Sequence, residues 1–222
     1  MTNFERTRNA LVAVDVQNDF IDGSLAVGGS ETIIEKLNRL TLALSRNASN
    51  LIATTQDWHP DQTAHFANQP NFVNTWPVHC VGGTPGAELH PDLLIACQPE
   101  LTTRFIKGDI ACTSPEDDTS YTGALAYDPV TGTTLPEFLR RNNPDTVYVA
   151  GLALGDGDQH PLCVDSTARD LHDDGFNIAL VTDATEAVLP ENRELCFRNM
   201  ARRGIRLLTT DEAVLEITGE RS

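Results

Sequence analysis

No stretch of this chain comes near the 18 or so consecutive apolar residues that a membrane-spanning helix needs, and the N-terminal MTNFERTR lacks the apolar core of a secretory signal. A cytoplasmic protein is therefore expected. Cationic side chains are scarce: 16 Lys and Arg stand against 32 Asp and Glu, a formal charge of -16. Phosphate-rich partners require clustered Lys and Arg, so neither nucleic acid nor an anionic membrane surface is an expected partner. The five cysteines are odd in number and include no CxxC pair, which fits free thiols in a reducing compartment better than a disulfide framework. Internal repeats and low-complexity segments are missing as well. What remains is 222 residues, 40% of them hydrophobic, enough for one α/β domain (1–222) with a sizeable core.

Histidine is sparse but concentrated. Three of the six, His59, His65 and His79, fall with Asp57 between positions 57 and 79. Asp and His are ligands that a divalent metal takes readily, and three or four of them with coordination positions left over mark a catalytic site more than a structural one. A long segment, 57–99, carries these residues; it is rich in Pro, Gly, His and Asn and has little periodicity. Loops of that length inside a compact domain are usually functional.

Along the chain, strand-like and helix-like segments alternate. Residues 10–16 form a continuous apolar run of the kind buried on both faces of a parallel sheet. Ser30 is placed to cap a helix whose apolar face carries Ile33, Ile34, Leu37, Leu40 and Leu44. Further strands are expected at 51–55, 101–106, 146–151, 176–182 and 205–208, with helices at 135–141, from Cys163 to a stop at Gly175, and at 191–202 behind Pro190. That alternation implies a three-layer α/β/α fold with a mostly parallel six-stranded sheet. Open parallel sheets bind ligands beyond the C-terminal ends of their strands. Three reactive residues stand at such ends: Asp15 at strand one, Lys107 at strand three, and Cys163 at a helix start after strand four. A nucleophilic thiolate wants a helix N-terminus and a nearby cation to lower its pKa, and an acid/base group to move protons.

The strings VDVQNDF (14–20), GSLAV (23–27), DWHP (57–60), WPVHC (76–80), GTPGA (83–87), KG (107–108) and GLA (151–153) resemble the nicotinamidase/pyrazinamidase branch of the isochorismatase-like cysteine hydrolases, across residues 10–208. The resemblance implies the strand order 3-2-1-4-5-6. It also implies a catalytic triad of Asp15, Lys107 and Cys163, and one divalent transition metal per chain on Asp57, His59, His65 and His79, zinc first, with iron or manganese also compatible. Phe20, Trp76 and Tyr121 would line the pocket for the pyridine ring of a small aromatic amide. The backbone N–H groups of Ala153, after a cis peptide, and of Cys163 would form the oxyanion hole. The implied activity is hydrolysis of nicotinamide through a thioester, in NAD salvage, with a homo-oligomer left open. Another amidohydrolase of the superfamily, acting on an N-carbamoyl or maleamate-type amide, is the alternative; such relatives generally lack the metal set. One departure stands out. Nine residues, 154–162, separate Ala153 from Cys163, where relatives place three. Its glycines and Pro161 suit an outward bulge that leaves Cys163 in the family position, with no role assigned to Asp158 or His160.

Overall fold

The computed structural model describes residues 8–97 and 99–219. Six strands, β1 (Asn9–Val14), β2 (Leu51–Asp57), β3 (Thr103–Lys107), β4 (Thr146–Leu154), β5 (Ile178–Ala187) and β6 (Arg206–Leu208), form one sheet in the order β3-β2-β1-β4-β5-β6. Every adjacent pair is parallel. Six α-helices accompany them: α1 (Asn18–Ile21), α2 (Thr32–Ser45), α3 (Leu135–Asn142), α4 (Cys163–Asp173), α5 (Arg193–Arg202) and α6 (Thr210–Thr218).

The two-residue period of the strands sorts their side chains into two cores. Leu11, Ala13, Tyr148, Ala150 and Leu152 meet Ile33, Leu37, Leu40 and Leu44 of α2 and Ala213 of α6 on one face. Ala10, Val12, Val14, Val147 and Val149 meet Leu139 of α3, Leu171 of α4 and Met200 of α5 on the other. Both faces of β1 are thus covered, which is why its sequence is uninterrupted in apolar residues. Leu37 and Leu40 are fully buried, and truncating either to Ala should cost about 2–5 kcal/mol. Among the described residues no helix is long and apolar enough to cross a membrane.

Several boundaries differ from the sequence expectation. Ser30 does not cap α2; its hydroxyl donates to the Ile21 carbonyl, and Glu31 precedes the helix without a side-chain cap. Residues 101 and 190–192 belong to 3-10 turns, so β3 and α5 start later than expected. Helix α6 follows β6 directly, nucleated by a Thr209/Glu212 capping box that was legible in the sequence and not read from it.

At the centre of the sheet, β1 leads to one side and β4 to the other, so a crevice opens where their C-terminal ends diverge. There β4 and β5 shift register. Gly151 has φ 121°, and a Cβ on it would stand 2.1 Å from the Val14 carbonyl oxygen, so only glycine lets β4 approach β1 at this level. The Leu152–Ala153 peptide just beyond is cis.

Candidate active site

Four strand ends supply the crevice. Asp15 follows β1, with φ 48°; Asp57 ends β2; Lys107 ends β3; Ala153 lies near the end of β4, and Cys163 opens α4. Gln17 ties the first two ends together. Its Nε2 donates to the carbonyls of Asp57 and Ala87, both at 2.8 Å, while its Oε1 accepts the Asp57 N–H at 2.8 Å. Asp19 holds the WPVHC segment by accepting the Cys80 N–H at 2.7 Å.

One half of the site is built around a buried ammonium. Lys107 Nζ lies 2.9 Å from Asp15 Oδ2, donates to Asp57 Oδ1 and to the Ser120 carbonyl, and donates to Cys163 Sγ at 3.5 Å. The Thr55 hydroxyl donates to Asp15 Oδ1 at 2.7 Å. Burial by itself would discharge Lys107, but Asp15 and Asp57 hold its pKa well above the ordinary lysine range. Burial raises the Asp15 carboxyl, with Lys107 opposing. Asp57 is lowered, since Lys107 and His59 outweigh burial. The Cys163 thiol departs from the sequence expectation of a lowered pKa: burial pushes it well up, and the pull of Lys107 does not compensate.

The other half is built from imidazoles. One ring nitrogen from each of His59, His65 and His79 lies within 4.8 Å of the others, and all three side chains are buried. Each ring is held from outside through Nδ1: His59 on the Gly108 carbonyl at 3.1 Å, His79 on the Pro77 carbonyl at 2.8 Å, His65 beside Asp118 Oδ2 at 3.3 Å. With Nδ1 as donor, Nε2 turns its lone pair inward. His59 Nε2 and His65 Nε2 are buried and have no hydrogen-bond partner among the described residues. Buried, unpartnered nitrogens whose rings are oriented by an outer shell are what a metal-binding imidazole set presents. The three imidazoles fit a divalent ion, and Asp57 Oδ2 borders them, 3.7 Å from His59 Nε2, while an Asp57 carboxylate oxygen also lies within 4.8 Å of Asp15 and the Cys163 Sγ. Burial lowers His79 to about 4 and also lowers His65, keeping both imidazoles neutral and able to ligate.

Between the halves lies a pocket walled by Phe20, Trp76, Tyr121, Ala153 and Cys163. Trp76 Nε1 donates to Tyr121 Oη at 2.7 Å, and Phe20 packs on the His79 ring with centroids 5.4 Å apart. The residues expected for the triad, the metal and the ring pocket thus lie at this one place. Gln17, Asp19, Thr55, Asp118 and Ser120 were not singled out. The first two sit inside a string that was noticed; Asp118 and Ser120 lie in an aperiodic polar stretch that gave no signal. The segment after Leu154 is only partly the expected outward bulge: residues 155–157 are buried, with the Asp156 carbonyl bonded by Asn199 of α5, and 158–160 are exposed, the His160 side chain at 66%.

Residues 9–102 and 115–212 match the family described as Isochorismatase domain. The nicotinamidase/pyrazinamidase of Mycobacterium tuberculosis is 34% identical over 203 residues, spanning 90% of this chain and 97% of the relative. Among solved structures, the pyrazinamidase of Pyrococcus horikoshii in complex with zinc superposes with a TM-score of 0.72 at 33% identity, covering 90% of this chain and 98% of that one. PnC1 from L. infantum in complex with nicotinate gives a TM-score of 0.74 at 28% identity, covering 93% and 95%.

Proposed function

The chain belongs to the isochorismatase domain family, and from that premise we propose that it hydrolyses nicotinamide, and pyrazinamide with it, to the free acid and ammonia, serving NAD salvage in the cytoplasm as one hydrolase domain. The observation that carries this reading is the meeting, in one pocket, of a thiol beside a carboxylate–ammonium pair with three inward-facing imidazoles. Either half alone would suit many reactions. Together they suit an amide carried on a ring that has its own basic nitrogen.

Asp57, His59, His65 and His79 would hold the metal, zinc first, with iron or manganese also compatible. When bound, it supplies an electrophilic anchor for the pyridine nitrogen, so its contribution is positional. Phe20, Trp76 and Tyr121 pack the ring. The carboxamide carbon is thereby presented to Cys163 Sγ. With burial pushing the Cys163 thiol up, its proton passes to Asp15 as the C–S bond forms, and Lys107 stabilises the developing thiolate. The Ala153 and Cys163 N–H groups hold the oxyanion, a stabilisation of about 2.7–4 kcal/mol per donor in comparable sites. Asp15 returns the proton to the departing nitrogen, the C–N bond breaks, and ammonia leaves a thioester. A water deprotonated by the Asp15 carboxylate then attacks, releasing the acid and restoring the thiol. The raised pKa of Asp15 suits a group that must accept and return one proton in each half-reaction.

Ammonia release by the purified, metal-loaded protein tests the reading. Turnover of nicotinamide is expected. If nicotinamide is inert while an N-carbamoyl or maleamate-type amide is cleaved, the second branch of the superfamily takes its place.

A further inference from the structure

Asp165 stands two residues after Cys163, in the first turn of α4, and is fully buried. Its carboxylate accepts three backbone N–H groups: Gly155 at 2.9 Å and Leu162 at 3.0 Å on Oδ1, and Gly157 at 2.8 Å on Oδ2. All three donors lie in the segment joining β4 to α4. A carboxylate in a helix's first turn ordinarily serves the helix end itself. Here two of the donors come from ten and eight residues upstream.

The joining segment is closed on itself. The Asp156 N–H donates to the His160 carbonyl at 3.2 Å, and Asp156 Oδ1 accepts the N–H groups of Asp158 and His160 at 2.9 and 2.8 Å. Asn199 of α5 donates to the Asp156 carbonyl at 2.8 Å. A Cβ on Gly155 would stand 2.1 Å from the His160 carbonyl oxygen, so the two limbs of the loop touch at its neck. Gly155 is two residues beyond Ala153, and Leu162 is one before Cys163. One oxygen, Asp165 Oδ1, therefore grips both ends of the loop, within two residues of each of the two N–H groups that hold the oxyanion in the proposed reaction.

We propose that Asp165 is a positioning residue: by binding Gly155 and Leu162 with one carboxylate oxygen, it fixes the separation of the Ala153 and Cys163 N–H donors across the loop. The inference rests on the reading of Cys163 as the nucleophile. Asp165 never meets the substrate, so its effect belongs in kcat and not in KM.

The test is a double-mutant cycle on metal-loaded protein with nicotinamide: full chain, Asp165→Ala, deletion of residues 155–160, and both together. In the full chain Asp165→Ala is expected to lower kcat about thirtyfold with KM moved less than threefold. On the shortened chain the same substitution should cost less than threefold, because the loop it restrained is gone. Hydrogen exchange at Gly155 and Gly157 should accelerate in Asp165→Ala. Equal losses of kcat in both backgrounds would reduce Asp165 to a helix cap and overturn the proposal, as would an effect confined to KM. If the unsubstituted protein releases no ammonia, the nicotinamide reading falls, and unchanged exchange at Gly155 and Gly157 is then the result that sinks the clamp. Should Asp165→Ala not fold, Asp165→Asn carries the test: a several-fold lower kcat at constant KM is expected, and an unchanged kcat overturns the proposal.

Discussion

The two halves of the site are both buried, yet in one opposite charges compensate each other and in the other two nitrogens face inward unpartnered among the described residues. Around Lys107, the positive charge is met by the carboxylates of Asp15 and Asp57 and by a carbonyl. Around the imidazoles, two inward nitrogens have no partner among the described residues. A desolvated ammonium is tolerable only with such compensation, whereas an unpartnered buried nitrogen costs about 1–3 kcal/mol until something binds it. In the proposed reaction that difference would separate a preassembled reacting group from a receptor for an ion.

The sharpest way to break that comparison is at the thiol. Cys163→Ala should lower kcat about 10⁴-fold or more while the fold is kept, as circular dichroism would report. Cys80 should be dispensable, since burial pushes its thiol far up and it lies outside the reacting set. Labelling of Cys80, not Cys163, by an inactivating alkylating reagent would reverse the assignment.

Chelation comes next. Stripped protein should lose its turnover and regain it with one equivalent of transition metal per chain, as titration against elemental analysis would reveal; full activity without metal would remove the positional role. Acid should do the same by another route. With His79 lowered to about 4, its neutral form prevails in the folded chain between that value and the ordinary histidine value near 6.5. The unfolded chain binds a proton across that window and the folded chain does not. Stability supplied by His79 is therefore whole above 6.5 and is lost as pH falls towards 4. Metal should be retained at pH 5 and released only as pH falls below about 4, followed by equilibrium dialysis.

Among the ligands, His79→Ala should weaken metal binding about a hundredfold and His65→Ala about tenfold, a water taking the latter's place. Isothermal titration ranks the two. The smallest effect belongs to His160, exposed on the bulge: His160→Ala should leave kcat within about threefold, and a loss beyond a hundredfold, about 2.7 kcal/mol, would make the bulge catalytic.

Much of the fold was legible because β1 and β4 are apolar on both faces and α-helices separate every consecutive pair of strands but β2 and β3. The strand order came from family resemblance, since periodicity alone does not order strands. Candidate residues at strand ends could be named because Asp, Lys and Cys are chemically conspicuous there. Asp165 could not be. A first-turn aspartate looks like an ordinary partner of the helix dipole, and its bonds to Gly155 and Gly157 exist only once the loop has closed. Asp118 was hidden for a similar reason: it reaches His65 across the fold from a stretch with no period of its own.

Asp57 gives one oxygen to Lys107 and turns the other towards His59. Thermodynamic reciprocity follows from that shared carboxylate. Charge drawn from it by an ion on the imidazole side would be charge withdrawn from the ammonium, and hence from the electrostatic balance at the Cys163 thiol. Whatever factor the ion applies to the thiol's proton affinity, the thiol's proton must apply to the ion's affinity in return. In the proposed reaction, exchanging an ion at the imidazoles would therefore retune the thiol.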